Sequence, residues 1–204
     1  MSREHWEEVY RTKDPTLVSW YQPQCRISLD LIHRVAPDPA SPIIDVGGGP
    51  STLVDGLLGS GFRAITVLDV APSALGIAQA RLGSRSLDVT WIPAGILDAP
   101  LSHAAYAVWH DRAVFHFLTD PDDRARYVRQ VRHAVRPGGH VIVASFAPDG
   151  PARCSGLDVM RYTPESMHRE FGTEFRLIDS TREEHRTPAG GVQPFVYCIC
   201  RRQE

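Results

Sequence analysis

The chain has 204 residues, 43% of them apolar, and a net charge of −2 with its nine His taken as neutral. That length suits one domain with a full core, spanning 1–204, and that composition excludes a wholly disordered chain. The charge lacks the basic excess of a dedicated nucleic-acid binder, so no nucleic-acid partner is expected.

Helical spacing opens the chain in "SREHWEEVYRTK", where Trp6, Val9 and Tyr10 share a stripe, and continues in "CRISLDLIHRVA" with Ile27, Leu31 and Val35. "PDPASP" ends that helix, and "PIIDV" is a short apolar strand. Beyond a run of glycines, Ser51 or Thr52 caps a helix through "TLVDGLLGSG", and "AITVLDV" is a second strand. "APSALGIAQARLG" is a helix with Ser73 as its expected N-cap and Gly83 at its end. "LDVTWI" and "AAYAVW" are strands, and Asp120 caps an amphipathic helix, "DPDDRARYVRQVRHAV". "RPGG" is expected to turn the chain into a fifth strand, "HVIVASFA". "PDGPARCSGLDVMRYTPESM" is turn-rich, and "EFRLIDSTREE" and "GVQPFVYCICR" form a closing hairpin.

Strands alternating with helices predict an α/β fold, a mostly parallel sheet with helices on both faces. Residues 1–36 are expected to cap the site, and 147–162 to form a lid. The first residues are charged, with no apolar core of a signal peptide, and no apolar run is long enough to span a membrane. The four Cys, at 25, 154, 198 and 200, lack the spacing of a disulfide framework or a zinc site. The expectation is a cytoplasmic protein with reduced thiols and no metal, a monomer or weak dimer.

The loudest signal is "DVGGGPST", residues 45–52, at the end of the first strand. A dinucleotide loop wants G-x-G-x-x-G, but here Gly47 and Gly49 are followed by Thr52 at the third glycine position. Asp45 precedes the glycines, where a carboxylate repels a pyrophosphate and suits an ammonium group. Asp69 ends the second strand, 24 residues on, placed to accept hydrogen bonds from both ribose hydroxyls. The loop therefore suits a nucleoside carrying a cationic amino acid.

S-adenosylmethionine has that description, and the whole chain resembles the class I S-adenosylmethionine-dependent methyltransferases. "DVGGGPS" is similar to their D-x-G-x-G motif, "VLDV" to their ribose-binding acid, and "RPGGHVIVASF" to the stretch entering their fifth strand. The likeness implies a doubly wound, Rossmann-like, seven-stranded sheet with an antiparallel final strand. Through "HWEEVY", "SWYQ" and "WHDRAVFHFL" the chain resembles small-molecule methyltransferases of the thiopurine and tellurite-resistance type. That resemblance implies that Trp6, Tyr10, Trp20 and Tyr21 cover the methionine and sulfonium, with Tyr21 reaching substrate. Core packing of the first helix is the competing account of Trp6 and Tyr10. The sequence departs from the family at Gly95, where an adenine-binding acid is usual, and at Tyr106-Ala107, where an aromatic-Asp pair is usual. Backbone at Gly95 and Ile96, with Val70, is left to bind adenine.

Ligands in open α/β sheets lie outside the carboxyl ends of the strands, which places "WHDRAVFHF" beside the reacting methyl. Asp111, Arg112 and His116 are the catalytic candidates, and His110 is placed near the cofactor. Asp111 and Arg112 are also readable as a structural ion pair at a helix start, and His116 as a core histidine in an apolar helical run, "AVFHFL". Cys154, Tyr162, His185 and Gln193 are expected to reach the substrate from the lid and final hairpin. The implied activity is methyl transfer to a small acceptor at sulfur, selenium, nitrogen or oxygen. A protein-lysine methyltransferase and a non-catalytic binding module are the alternatives, and a nicotinamide oxidoreductase comes last.

Overall fold

The computed structural model describes residues 2–204. In chain order the elements are α1 (Arg3–Thr12), α2 (Arg26–Val35), β1 (Ile43–Val46), α3 (Leu53–Gly59), β2 (Ile65–Asp69), α4 (Pro72–Leu82), β3 (Val89–Pro93), β4 (Tyr106–Arg112), α5 (Pro121–Ala134) and β5 (Val135–Phe146). A two-residue-per-strand hairpin follows, β6 (Arg153–Cys154) and β7 (Leu157–Asp158), then α6 (Pro164–Phe171), β8 (Phe175–Arg186) and β9 (Val192–Arg202).

Seven strands form one sheet in the order β3-β2-β1-β4-β5-β9-β8. The first five run parallel, and β9 pairs antiparallel with β5 on one side and β8 on the other. β1 and β2 are buried along their whole length, as strands covered on both faces must be. One face packs Leu31 and Ile32 of α2, Leu53 and Leu57 of α3, and Leu75 and Leu82 of α4. The other packs Tyr127 and Val131 of α5 with Met167 and Phe171 of α6. A smaller cluster joins Trp6 and Val9 of α1 to Ala71 and Ala74 at the start of α4. The strand order reverses between β1 and β4, and the crevice at their carboxyl ends is where an open α/β sheet takes its ligand.

Local chemistry moves several predicted features. Ala71, not Ser73, is the N-cap of α4; the Ser73 amide donates instead to Glu7 Oε1 of α1 at 3.1 Å. Thr52 holds the N-cap position of α3, but Ser51 Oγ accepts the Leu53 amide at 3.1 Å. "AVFHFL", expected as a helical run, shrinks to one tight turn over Phe115–Phe117. Ala113 at φ +73° breaks the helical path out of β4, and the Asp111 carboxylate accepts the Val114 and Phe115 amides, capping the single turn that remains. "RPGG" lies within β5 rather than before it; Gly138 at φ +73° accommodates the irregularity opposite Tyr106–Val108. An unpredicted helix, α6, forms on a Thr163/Ser166 capping box. All four cysteines are free; Cys198 and Cys200 alternate into the core, their sulfurs 3.5 Å apart. Among the described residues no helix is long and apolar enough to cross a membrane.

Candidate active site

The glycine loop closes on itself. The Gly47 and Gly48 amides both donate to Leu68 O, at 2.7 and 3.2 Å, so neither is free to cradle a phosphate. Gly47 has φ +67°, and a Cβ there would lie 2.0 Å from Val114 Cγ2. A Cβ on Gly48 would lie 2.6 Å from Asp45 Oδ2, and one on Gly49 (φ +42°) 2.9 Å from Asp69 Oδ2. The three glycines let two carboxylates and one valine approach the loop at backbone distance.

A cleft of about 180 Å³ opens beside this loop. Its floor includes Gly47, Asp69, Val70, Gly95 and Ile96, and Trp6, Tyr10, Trp20 and Phe117 wall it. Trp6 stacks on Tyr10 with centroids 6.2 Å apart and meets Trp20 and Phe117 edge-on at 5.8 and 5.2 Å. A Cβ on Gly95 would touch only Val70 Cγ2 at 3.8 Å, so the floor is open where a flat base would lie. Asp69 is 6% exposed, and Oδ1 accepts the Ala71 amide at 2.8 Å. Burial raises its pKa to about 7, against backbone hydrogen bonds from Ala71 and Gly49.

A second hollow joins the first through Tyr10, Trp20, Gly47 and Arg112, and reaches Asp45, His110, Ser28 and Tyr21. Asp45 Oδ1 bonds His110 Nδ1 at 2.7 Å, and His110 Nε2 bonds Ser28 Oγ at 2.9 Å. A neutral ring with its proton on Nδ1 donates to Asp45 and accepts from Ser28. The chain of three ties α2 to the acid of the glycine loop. Arg112 ends β4 with Nε donating to Tyr197 Oη at 3.1 Å, Nη1 to Trp20 O at 3.3 Å and Nη2 to Glu183 Oε2 at 3.3 Å. Its guanidinium lies 4.2 Å from the Phe195 ring centroid.

Cys154, from the β6–β7 hairpin, also lines the cleft, and burial raises its thiol to about 11. The other expected residues lie elsewhere. Asp111 faces the core, wholly buried, accepting from Tyr127 Oη at 2.6 Å; burial raises its pKa to about 6. His116 is wholly buried against Phe117 and Phe146, with neither ring nitrogen partnered, and burial lowers its pKa to about 3. Tyr162 packs against Phe115 in the core. His185 and Gln193 are neighbours across β8 and β9, outside both hollows; His185 Nε2 donates to Ser19 O at 2.8 Å. Sequence reading missed Val114 and Phe117 as walls, Gln22 and Ser28 as polar partners, and Glu183. An apolar pair just past the β4 end was the available signal for the first two; nothing local marks Glu183.

Residues 43–139 match the family model described as a methyltransferase domain. No curated protein matches the chain in sequence. Among solved structures, the chain is similar to the N-methyltransferase NodS from Bradyrhizobium japonicum in complex with S-adenosylhomocysteine, at TM-score 0.75 and 16% identity over 99% of this chain and 98% of that one. It is also similar to the 1,6-didemethyltoxoflavin N1-methyltransferase of Burkholderia thailandensis, at TM-score 0.68 and 19% identity over 99% and 84%. A third, from the conversion of a disulfide bond into a thioacetal group in echinomycin biosynthesis, aligns at TM-score 0.76 and 17% identity over 98% and 92%. At such identities the likeness shows the fold. Residues 43–139 are thus similar to a methyltransferase domain, and the whole chain shares the fold of these structures. The floor, the acids and the aromatic wall have the chemistry to hold S-adenosylmethionine.

Proposed function

We propose that the enzyme methylates a small molecule, in the manner of the thiopurine and tellurite-resistance type that its "WHDRAVFHFL" segment resembles. The observation that carries this reading is the closure of the cleft. Residues 13–25 form a strap across it, held by His185 to Ser19 O, by Arg112 to Trp20 O and by Gln22 Nε2 to Glu183 Oε1. A folded protein acceptor needs a long open groove, whereas a cleft of this size, walled by aromatic rings and partly covered by the strap, suits a small ligand. NodS and the toxoflavin enzyme are named as N-methyltransferases, the latter structure holding its small substrate, and they support the same reading.

The cofactor supplies an activated methyl on a sulfonium. In this assignment Asp69 accepts the ribose hydroxyls, while Val70, Gly95 and Ile96 hold the adenine. Asp45, fixed by His110, faces the amino-acid end. Trp6, Tyr10 and Trp20 cover the sulfonium, whose attraction to an aromatic face is worth about 0.5–2 kcal/mol. Tyr21, Arg112 and Cys154 remain for the acceptor. The bases nearest the reacting end are poorly suited to proton removal: Asp111 is locked to Tyr127, and His116 is sealed in the core. The protein's contribution is therefore alignment, and the acceptor arrives with a free lone pair, as a thiolate, a neutral amine or a ring nitrogen.

The test is product formation from S-adenosylmethionine with panels of small thiols, amines, heteroaromatics and hydroxyl compounds beside a panel of unfolded and folded proteins. Turnover on small acceptors alone is expected. Turnover on proteins alone would overturn the reading.

A further inference from the structure

Arg112 stands where the two hollows meet, with Tyr10, Trp20 and Gly47. A guanidinium is a costly neighbour there. The cofactor carries a fixed positive charge on sulfur before transfer and none afterwards. Two cations sharing a water-poor cleft repel far more strongly than they do in bulk water.

The compensating charge comes from a distant strand. Glu183 of β8 lies 71 residues from Arg112 in sequence. Its Oε2 accepts from Arg112 and, at 3.0 Å, from Tyr197 Oη, while Oε1 accepts from Gln22. The Arg112 and Glu183 side chains are only 9% and 10% exposed. Phe195 packs under the guanidinium, so the pair is shielded from solvent on that side. Glu183 itself lines neither hollow, so it acts on a ligand only through Arg112. Burial works against the Arg112 charge, and Tyr197 and Glu183 more than offset it, holding its pKa above the ordinary value.

We propose that Glu183 is a positioning residue whose carboxylate neutralises Arg112, and that this pairing sets the enzyme's preference for the charged cofactor over its neutral product. The inference rests on the assignment of the cleft to S-adenosylmethionine. A pair that served packing alone would affect both ligands together.

Calorimetric titration of the full chain with S-adenosylmethionine and with S-adenosylhomocysteine separates the two. Glu183→Gln leaves the cation uncompensated and lowers the ratio of cofactor to product affinity about tenfold, the order expected of one unit charge acting across the cleft at an effective dielectric near 20. Arg112→Met leaves the acid uncompensated and moves the ratio the opposite way. The double variant returns it to within about twofold of wild type, as a coupled pair requires. Thermal melts establish that each variant is folded; if Glu183→Gln is not, the direction of the Arg112→Met shift decides. Ratios that stay fixed in both single variants, or move in the same direction, overturn the proposal. Wild-type protein that binds neither ligand overturns the assignment of the cleft instead.

Discussion

Adding one methyl group at Gly47 tests why the loop is built of glycine. Gly47→Ala meets two independent penalties. At φ +67° an L side chain costs about 1–2 kcal/mol. The new Cβ would lie 2.0 Å from Val114 Cγ2, and Val114 is β-branched and stiff, so relief needs a rotamer or backbone shift costing about 1–3 kcal/mol. Together they remove about 2–5 kcal/mol, a large share of the 5–15 kcal/mol typical of a domain. At roughly 2–4 °C per kcal/mol for a chain of this size, the melting temperature falls by about 5–20 °C. Val114 also walls the cleft, so its displacement weakens the cofactor as well. The control is Gly76→Ala in α4, where an added Cβ meets nothing within 4 Å and helix propensity gives back about 0.5–1 kcal/mol. Combining Gly47→Ala with Val114→Ala removes the collision and leaves the backbone term. Thermal unfolding with calorimetric titration reads all four proteins. Gly47→Ala melting with wild type, or Gly76→Ala losing as much, would refute the reasoning.

Two further outcomes follow from buried ionisable groups. Burial lifts Asp69 from 3.8 to about 7, so the folded protein keeps a proton that the unfolded chain releases; its contribution to stability is full below pH 3.8 and is lost as pH rises to about 7. The difference in melting temperature between wild type and Asp69→Asn therefore shrinks or reverses across that window in cofactor-free protein, and a difference that grows in wild type's favour counts against it. Ribose hydroxyls need an ionised acceptor, so affinity for S-adenosylmethionine rises through pH 7 in wild type and stays flat in Asp69→Asn. His116 holds two unpartnered nitrogens in an apolar site, where each buried unsatisfied polar group costs about 1–3 kcal/mol. His116→Leu is expected to melt no lower than wild type and to keep its kcat, while a tenfold fall in kcat with intact folding would return the ring to the chemistry.

What the sequence disclosed was local, and what it withheld was the pairing of distant residues. Asp45, Gly47 and Asp69 sit at strand ends fixed by hydrophobic runs of four and five residues, so their placement needs only the parallel sheet. Asp120 caps α5 because its carboxylate accepts the Asp122 amide, a two-residue relation any local reading can find. The failures share a cause. "AVFHFL" has a helical pattern, yet Ala113 at φ +73° interrupts it and only one turn forms. "RPGG" carries turn residues, yet it lies inside β5 as an irregularity, where the pairing with β4 jumps from Val135 to His140. Glu183 lies in a charged stretch of an edge strand, and its role depends on Gln22, 161 residues away. In each case a backbone conformation or a distant partner overrode the side-chain pattern, and neither is written in the residue types of a short window.

The same distinction bears on how the cofactor enters and leaves. The floor of the cleft belongs to the sheet and moves only if the core does. Its roof, α1 and the strap, is attached by a handful of polar links: Arg3 to Val70 O and Pro93 O, Glu7 to the Ser73 amide, and the three bonds that hold residues 19–22. Each contributes about 0.5–1.5 kcal/mol net, and several are solvent-exposed. Trp6 and Val9 add the main apolar anchor, against Ala71, Ala74, Val70 and Phe117. Lifting the roof therefore costs less than global unfolding, the condition for a segment that opens within a stable domain. Arg112 belongs to both parts, since it holds the strap at Trp20 O and lines the junction of the cleft, while Glu183 holds Gln22 of the strap. On the proposed assignment of the cleft, loss of the sulfonium charge on methyl transfer changes the environment of the same ion pair that fastens the strap through Trp20 O and Gln22.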